Sequence, residues 1–122
     1  MAVQKKTLVI GASENPSRYS WLAVDHLRSK GHPVVAIGRR QGKIGDVIVG
    51  TARQDFDAVD TVTLYLSPHL QKEYYDYILS LHPRRLIFNP GTENNELAQL
   101  AEANGIEAME ACTLVLLSTG QF

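Results

Sequence analysis

The stretch Thr7–Arg18, with the sequence TLVIGASENPSR, decides how the rest of the chain is interpreted. Within it, Leu8–Ile10 is a wholly apolar run, which is typical of a strand buried on both faces of a parallel sheet. Gly11 follows at once, and glycine readily adopts the backbone angles of a sharp turn at the end of a strand. The free N–H groups at the start of a following helix would then provide a seat for a phosphate group. The stretch therefore predicts the nucleotide-binding corner of a Rossmann-like fold.

This corner departs from the dinucleotide-binding fingerprint G-x-G-x-x-G. Gly11 supplies the first glycine, but Ser13 stands at the second glycine position and Pro16 at the third. A serine keeps a pyrophosphate farther from the backbone, although its hydroxyl is an additional donor. Because Pro16 lacks an N–H and disfavours helical geometry at Asn15, we expect the helix to start after it. The sequence predicts a phosphate site that does not hold NAD in the usual way, and a serine-rich turn without a ligand is the alternative.

Length and composition bound the class of protein. The 122 residues are 44% hydrophobic and 20% charged, which predicts one domain over residues 1–122 with its own core. The formal net charge of −1 gives no overall field to attract nucleic acid or an acidic membrane, so neither is an expected partner. No apolar run reaches spanning length, residues 1–6 lack a signal peptide's apolar core, and the single Cys112 fits a reducing compartment. We therefore expect a cytoplasmic protein, and a homo-oligomer is one of the states that the sequence allows.

Apolar strand patterns alternate with helical patterns along the chain. The predicted strands are Leu8–Ile10, Val34–Ile37, Thr61–Leu66, Leu86–Phe88 and Ile106–Met109. The predicted helices are Ser20–Lys30 with Tyr19 on its apolar face, a second helix from Pro68 to Leu81, and a third that Thr92 caps and that ends at Gly105. This alternation predicts an α/β fold, a Rossmann-like, doubly wound, three-layer parallel sheet of five strands with the order 3-2-1-4-5.

Two segments have less regular patterns. Residues 43–60 show no clear helical period; Val47–Val49 predicts a small strand or hairpin, and residues 55–59 a short turn of helix. Residues 112–117 are apolar enough to dock on the sheet, either as a strand or as a short helix.

Arg39 and Arg40 directly follow the second predicted strand. NAD enzymes usually carry an acidic residue at this place, whereas an arginine accommodates an extra phosphate on the ribose. Two arginines can pair with phosphate oxygens through charge-assisted hydrogen bonds, and Lys43 in the following glycine-flanked loop adds a third cation. The alternative is a pair of solvated surface charges.

Ligands of such sheets bind outside the carboxyl ends of the strands, at the switch point beside strand one. The loops that follow four of the predicted strands are expected to meet there. The candidate ligand-binding residues are Gly11, Ala12, Ser13, Asn15, Pro16, Arg18, Arg39, Arg40, Lys43, Ser67, Pro68, Asn89, Gly91 and Thr92.

These residues resemble the CoA-binding protein family, small stand-alone domains related to the CoA-binding domain of the succinyl-CoA ligase alpha subunit. The resemblance covers nearly the whole chain and rests on IGAS at residues 10–13, Asn15–Pro16, Arg18, Arg40, Ser67–Pro68, the Gly91 loop and Cys112. It implies a Rossmann fold whose corner holds the diphosphate of coenzyme A, with basic residues near the adenosine phosphate. The chain departs from the family pattern at Leu66 and Ala111, where arginine is frequent, and at Leu116–Leu117, which replaces a histidine.

The four histidines lack the spacing of metal ligands, and no nucleophile–base pair is visible. We therefore expect a non-catalytic module that binds coenzyme A or an acyl-CoA, with no catalytic residue and no metal. Cys112 is expected to pack as a small apolar side chain rather than to react with the CoA thiol. Two alternatives stay open. One is an NADP-binding, reductase-like domain that uses Arg39 and Arg40, and the other is a Rossmann scaffold that has lost its ligand.

Overall fold

The computed structural model describes residues 3–122 and has a sheet of seven strands between two layers of helices. In chain order the elements are β1 Thr7–Ile10, α1 Tyr19–Ser29, β2 Val34–Ile37, β3 Gly42–Ile44, β4 Val47–Gly50, β5 Thr61–Leu64, α2 Pro68–Gln71, a 3-10 turn over Lys72–Tyr74, α3 Tyr75–Leu81, β6 Arg85–Phe88, α4 Asn95–Ala103, β7 Glu107–Glu110 and α5 Thr113–Ser118. The predicted α/β class with a mainly parallel sheet is confirmed.

The strand order across the sheet is β3-β4-β2-β1-β5-β6-β7. Every neighbouring pair is parallel except β3 and β4, which form an antiparallel hairpin. The predicted five-stranded order 3-2-1-4-5 is therefore wrong, because β5 pairs with β1 and β4 occupies the place beside β2. When the parallel strands alone are numbered, they follow the Rossmann order 3-2-1-4-5-6, with β4 as the third. The switch point lies between β1 and β5.

The β3–β4 hairpin replaces the helix that would normally connect the second and third parallel strands. Gly45 has a positive φ of 60° at the two-residue turn, and Asp46 beside it accepts a hydrogen bond of 2.5 Å from Arg28 Nε of α1. The hairpin predicted at Val47–Val49 is confirmed. The helical turn predicted at residues 55–59 is wrong, since Ala58 has a φ of 58°, which a right-handed helix does not allow.

Two apolar layers flank the sheet. On one face, α1 and α5 pack through Val24, Leu27 and Leu117, and on the other, α3 and α4 pack through Ile78 and Leu97. The first predicted helix is correct to within one residue at each end, but Tyr19 is 72% exposed and the neighbouring serine is buried instead.

The second predicted helix is not continuous, because the 3-10 turn separates α2 from α3. Gln71, at the end of α2, is fully buried and its Nε2 donates to the carbonyl oxygens of Leu66 and Thr92, each at 2.8 Å. This side chain ties α2 to two loops, whereas Leu70 of the predicted apolar stripe is partly exposed.

Thr92 does not cap the third predicted helix. Its Oγ1 donates to the carbonyl oxygen of Asn89 at 2.8 Å, and Asn94 caps α4 by accepting a hydrogen bond from Leu97 N at 3.2 Å. The segment from residue 112 to 117 is confirmed as a short helix, α5, with Cys112 at its N-cap position.

Both outer strands of the sheet have a backbone N–H that donates to a glutamate. In β3, Lys43 N donates to Glu14 Oε2 at 2.8 Å, and in β7, Ala108 N donates to Glu102 Oε1 at 3.0 Å. These two amides are therefore engaged within the chain.

Candidate functional site

The turn between β1 and α1 is shaped by a glycine that no other residue can replace without distortion. Gly11 has a φ of 95°, and a Cβ atom at this position would lie 2.8 Å from the carbonyl oxygen of Tyr65. The N–H groups of Gly11 and Ala12 donate to the Ile37 carbonyl oxygen at 2.8 and 3.0 Å. The start of the turn is thus fastened to β2 and β5, and its first two amides are not available to a ligand.

Four amides of the same turn have no acceptor anywhere in residues 3–122. They belong to Ser13 and Glu14 in the loop and to Tyr19 and Ser20 in the first turn of α1. The amides in between are used locally, for example by Ser17 N, which donates to Asn15 Oδ1 at 3.0 Å. Free N–H groups next to the positive end of a helix bind anions well, so this turn is suited to a phosphate or diphosphate group.

Four basic residues lie on this turn or on the adjoining segment that follows β2. A Cβ atom on Gly38, at the end of β2, would lie 2.3 Å from the Ala12 carbonyl oxygen, so the two loops touch and Arg39 directly follows the contact. Across the described part of the chain, no carboxylate or other hydrogen-bond partner engages the exposed side chains of Arg18, Arg39, Arg40 or Lys43. These cations are free to meet an anionic ligand.

Glu14 is a residue of this corner that sequence reasoning missed. Its carboxylate bonds to Lys43 N, and its Cδ atom lies 2.2 Å from the place that a Cβ atom on Gly42 would take. The contact joins the β1–α1 turn to the hairpin, and it places Lys43 on a strand rather than in the predicted loop. No pattern in the sequence signals this contact, since its partners are 29 residues apart.

Asn89 and Thr92 support the fold rather than offer free groups. Asn89 is 1% exposed, and its Nδ2 donates to Thr63 Oγ1 at 2.6 Å and to the Leu64 carbonyl oxygen at 2.9 Å. Its Oδ1 accepts from Thr113 N at 2.9 Å, so the side chain holds α5 against the sheet. Thr92 is also buried, with its hydroxyl on the Asn89 carbonyl oxygen. Both side chains therefore have partners within the chain, and the ligand contacts predicted for them stay predictions.

Ser67 and Gly91 lie on loops at the same edge of the sheet, and Pro68 begins α2 there. Ser67 occupies the N-cap position of α2, and Pro68 is the first residue of that helix as predicted. The Ser67 side chain makes no capping hydrogen bond to the backbone, and its Oγ lies 3.2 Å from His69 Nδ1. Gly91 is exposed with a φ of 91°, and its N–H donates to Glu93 Oε1 at 2.9 Å. The Gln71 side chain, which sequence reasoning also missed, connects these two loops.

The side of the corner that follows β5 is apolar. Leu66 is buried, and a Cβ atom on Gly11 would lie 3.2 Å from its Cδ2 atom, so this side chain packs directly against the turn. Burial raises the pKa of the neighbouring Tyr65 phenol, which stays neutral beside Thr113 and the half-buried Cys112. The corner therefore has a cationic side and an uncharged side, which suits a ligand with one charged and one uncharged part.

Within residues 3–122, the structure brings together no group of three or more His, Cys, Asp or Glu side chains that could hold a metal ion. In the same part of the chain, no helix combines the length and apolar character needed to cross a bilayer.

Known proteins resemble this chain in sequence and in structure. A family model described as a CoA binding domain matches residues 5–118. The crystal structure of a protein described as uncharacterised superposes with a TM-score of 0.96 at 47% identity, covering 99% of this chain and 100% of that one. A conserved hypothetical protein from Pyrococcus furiosus superposes with a TM-score of 0.79 at 25% identity, covering 91% of this chain and 97% of that one.

A larger protein shares the fold. Dinucleotide forming acetyl-coenzyme A synthetase 1 from Ca. Korarchaeum cryptofilum, solved with phosphate and ADP, superposes with a TM-score of 0.72 at 18% identity. The match covers 89% of this chain and 26% of that one, and at this identity it concerns the fold alone. No curated protein matches the chain.

Proposed function

The chain belongs to the CoA binding domain family, and from this premise we propose that it binds coenzyme A or an acyl-CoA without catalysing a reaction. The membership confirms the resemblance seen in the sequence. The observation that carries the proposal is the set of four free N–H groups on the β1–α1 turn, at Ser13, Glu14, Tyr19 and Ser20. In the proposed complex these groups donate to the diphosphate of the ligand.

The two sides of the corner suggest how the ligand lies. Arg18, Arg39 and Arg40 would hold the 3′-phosphate of the adenosine, because guanidinium groups form strong paired hydrogen bonds with phosphate. The pantetheine arm is uncharged, and the apolar side with Tyr65 and Leu66 suits it. A cytoplasmic location is part of the same proposal, since coenzyme A would have to be present at useful concentration.

The first experiment is titration calorimetry with CoA, dephospho-CoA, NADP and NAD. If the arginines hold the 3′-phosphate, CoA should bind at least about tenfold more tightly than dephospho-CoA, because a charge-assisted hydrogen bond contributes about 1.5–3 kcal/mol. The double variant Arg39→Glu, Arg40→Glu should lose this preference, since the carboxylates would repel the phosphate. Equal affinity of the parent protein for CoA and dephospho-CoA would end the arginine argument.

The same titrations separate the alternatives. The NADP-binding, reductase-like alternative requires NADP to bind more tightly than CoA and to lose its advantage over NAD in the double variant. The scaffold alternative requires that none of the four compounds binds. The non-catalytic part of the proposal is tested with acetyl-CoA, which should stay intact in the presence of the protein; release of a free thiol would contradict it.

A second variant tests the place of the diphosphate. Ser13→Leu should abolish CoA binding, because the larger side chain fills the anion seat. Stability should change little, since the hydrogen bond that the variant loses, from Asn15 N to Ser13 Oγ, is exposed to solvent. The matched control is Ser80→Leu on α3, an exposed serine outside the corner, which should bind CoA like the parent protein. Unchanged CoA affinity of a folded Ser13→Leu protein would show that the diphosphate binds elsewhere.

A further inference from the structure

A cavity of about 580 Å³ lies at the opposite, amino-terminal edge of the sheet. Basic groups dominate its lining, which includes Lys5, Lys30, His32 and Arg84. Asp60 carries the only acidic side chain among the described residues that line it. This local excess of positive charge contrasts with the chain as a whole, whose formal net charge is −1.

Two of the basic groups already have partners. Asp60 Oδ2 accepts a hydrogen bond of 3.1 Å from Arg84 Nε, and its Oδ1 accepts one of 2.6 Å from Thr61 Oγ1. The Lys5 ammonium donates to the backbone oxygen of Phe122. Even if the Asp60 carboxylate and the acceptor group of Phe122 each carry a full negative charge, they compensate only the charges of Arg84 and Lys5. The exposed Lys30 ammonium has no partner among residues 3–122 and stays uncompensated.

His32 presents a free donor to its surroundings. Its Nδ1 accepts a hydrogen bond of 3.0 Å from Lys5 N, so the neutral imidazole carries its proton on Nε2. No described residue accepts a hydrogen bond from that second nitrogen.

A buried arginine lies beneath the cavity wall. Arg85 is 4% exposed, its Nε donates to Thr61 Oγ1 at 2.8 Å, and its guanidinium lies 4.2 Å from the ring centroid of Phe122, which lines the cavity. Its Nη2 is buried and has no hydrogen-bond partner among residues 3–122. Such an orphaned charged donor is unfavourable in the absence of a counter-ion.

The positive groups of this region disfavour one another's charged forms. Burial lowers the pKa of Lys5, His32 and Arg85, and neighbouring positive groups lower these pKa values further: Arg85 acts on Lys5, Lys5 on His32, and Arg84 on Arg85. The Asp60 carboxylate acts in the opposite direction on all three pKa values, but more weakly. A bound anion would add to the effect of Asp60 by favouring the charged forms.

From the cavity, its basic lining and the orphaned guanidinium, we infer that this edge binds a small oxyanion of the phosphate class, separately from the CoA corner. Lys30 and His32, both on the connection between α1 and β2, supply the donors that have no partner. The Arg85 guanidinium adds its positive charge from beneath the Phe122 ring. The anion is either free phosphate or the phosphate group of a larger molecule. The inference does not depend on the proposed function, because the two sites lie at opposite edges of the sheet.

The test is an NMR titration of the full-length protein with inorganic phosphate and with glycerol 3-phosphate, recorded with and without CoA. Saturable shifts of the Lys5, His32 and Arg84 resonances are expected under both conditions, together with an upward shift of the His32 pKa. Tighter binding of the monoester would also support the site and identify a phosphorylated metabolite as the source. Shifts that do not saturate, or that are absent with both compounds, would overturn the inference.

Two variants and one control sharpen the test. Arg85→Met keeps the apolar stem of the side chain and should weaken phosphate binding about three- to tenfold, because it removes a buried positive charge beneath the cavity wall. Lys30→Gln changes an exposed residue with little effect on folding and should weaken binding about two- to fivefold. Lys72→Gln, which makes the same change at an exposed lysine outside the cavity, is the control and should leave the phosphate affinity unchanged. Unchanged affinity of Lys30→Gln, with Arg85→Met either unchanged or unfolded, would overturn the assignment.

Discussion

The two edges of the sheet use positive charge in opposite ways. At the carboxyl edge, Arg18, Arg39 and Arg40 are exposed on loops and have no partner in the described residues. At the amino edge, Arg85 is buried beneath Phe122 at the start of an inner strand, and Lys5 reaches the same ring. These arginines are thus exposed to solvent at the carboxyl edge, whereas at the amino edge Arg85 is part of the packed interior.

Burial, rather than residue type, therefore determines whether a basic side chain of this fold is available to a ligand or contributes to stability. An exposed guanidinium gains little from the protein around it and is available to a ligand. A buried one must be held by hydrogen bonds and aromatic contacts, and its removal affects the stability of the whole chain. Substitutions at the two edges should therefore separate stability from binding.

The largest effect is expected at the carboxyl edge, from the backbone rather than from the cations. Gly11→Ala should lower the free energy of unfolding by about 3–4 kcal/mol, because the added Cβ meets the Tyr65 carbonyl oxygen and the positive φ is itself unfavourable. Chemical denaturation measures this loss, and CoA binding should be lost with it. A variant as stable as the parent protein would contradict the tight packing assigned to the turn at the carboxyl edge.

Gly91→Ala is the matched control for this substitution. Gly91 has nearly the same φ, 91°, but a Cβ atom there would have no neighbour within 4 Å. The cost should be only the conformational one, about 1–2 kcal/mol. The difference between the two variants then measures how tightly the β1–α1 turn is packed against the end of β5.

The next largest effect is expected at the amino edge. Phe122→Ala should lower the free energy of unfolding by about 3 kcal/mol, since it removes a buried aromatic ring and its contact with the Arg85 guanidinium. Thermal and chemical denaturation would detect the change, and CoA affinity should stay that of the parent protein. Tyr19→Ala, which removes a ring that is 72% exposed, should have almost no effect on stability. Equal losses in the two variants would contradict the packing assigned to Phe122.

The smallest effect concerns the pH dependence of stability. Burial, followed by the charge of Lys5, lowers the pKa of His32 in the folded chain, so the unfolded chain binds the proton more tightly. The contribution of His32 is therefore fully present above its unfolded pKa of about 6.5 and is lost as the pH falls through that value towards the lower folded pKa. His32→Gln, whose side-chain oxygen can still accept from Lys5 N, should flatten this part of the profile. A steeper loss of stability in the variant would contradict the argument.

The sheet shows where sequence patterns suffice and where they do not. Leu8–Ile10 and Val34–Ile37 were recognisable because strands buried on both faces are continuously apolar. The first strand of the hairpin was not predicted, because Gly42 and Lys43 do not resemble a strand. The Lys43 amide, moreover, bonds to Glu14, which is far away in the chain. Because β4 was not counted as the third parallel strand, the strand that begins at Thr61 was placed beside β2, and the predicted order was wrong.

The candidate site, too, was predictable from the sequence only in part. The turn after β1 was predictable, because Gly11 and the following polar residues form a local motif. The roles of Asn89 and Thr92 were not, because the Asn89 side chain bonds to atoms that tertiary structure alone brings near, such as Thr63 Oγ1, and the Thr92 hydroxyl bonds back to Asn89. The strand that begins at Arg85 was predicted one residue too late, since a charged residue is seldom buried.

The glutamates at the two ends of the sheet have a consequence for the behaviour of many copies in solution. Glu14 occupies an amide of β3 and Glu102 an amide of β7, so each outer strand offers fewer free donors to the backbone of another molecule. Edge strands with unpaired amides are templates for continuous intermolecular sheets and for aggregation. Here a second copy of the protein would first have to displace the Glu14 or Glu102 carboxylate, which belongs to the same molecule as the strand that it covers. Crowded molecules of this protein are thereby discouraged from growing into fibrils through the edges of their sheets.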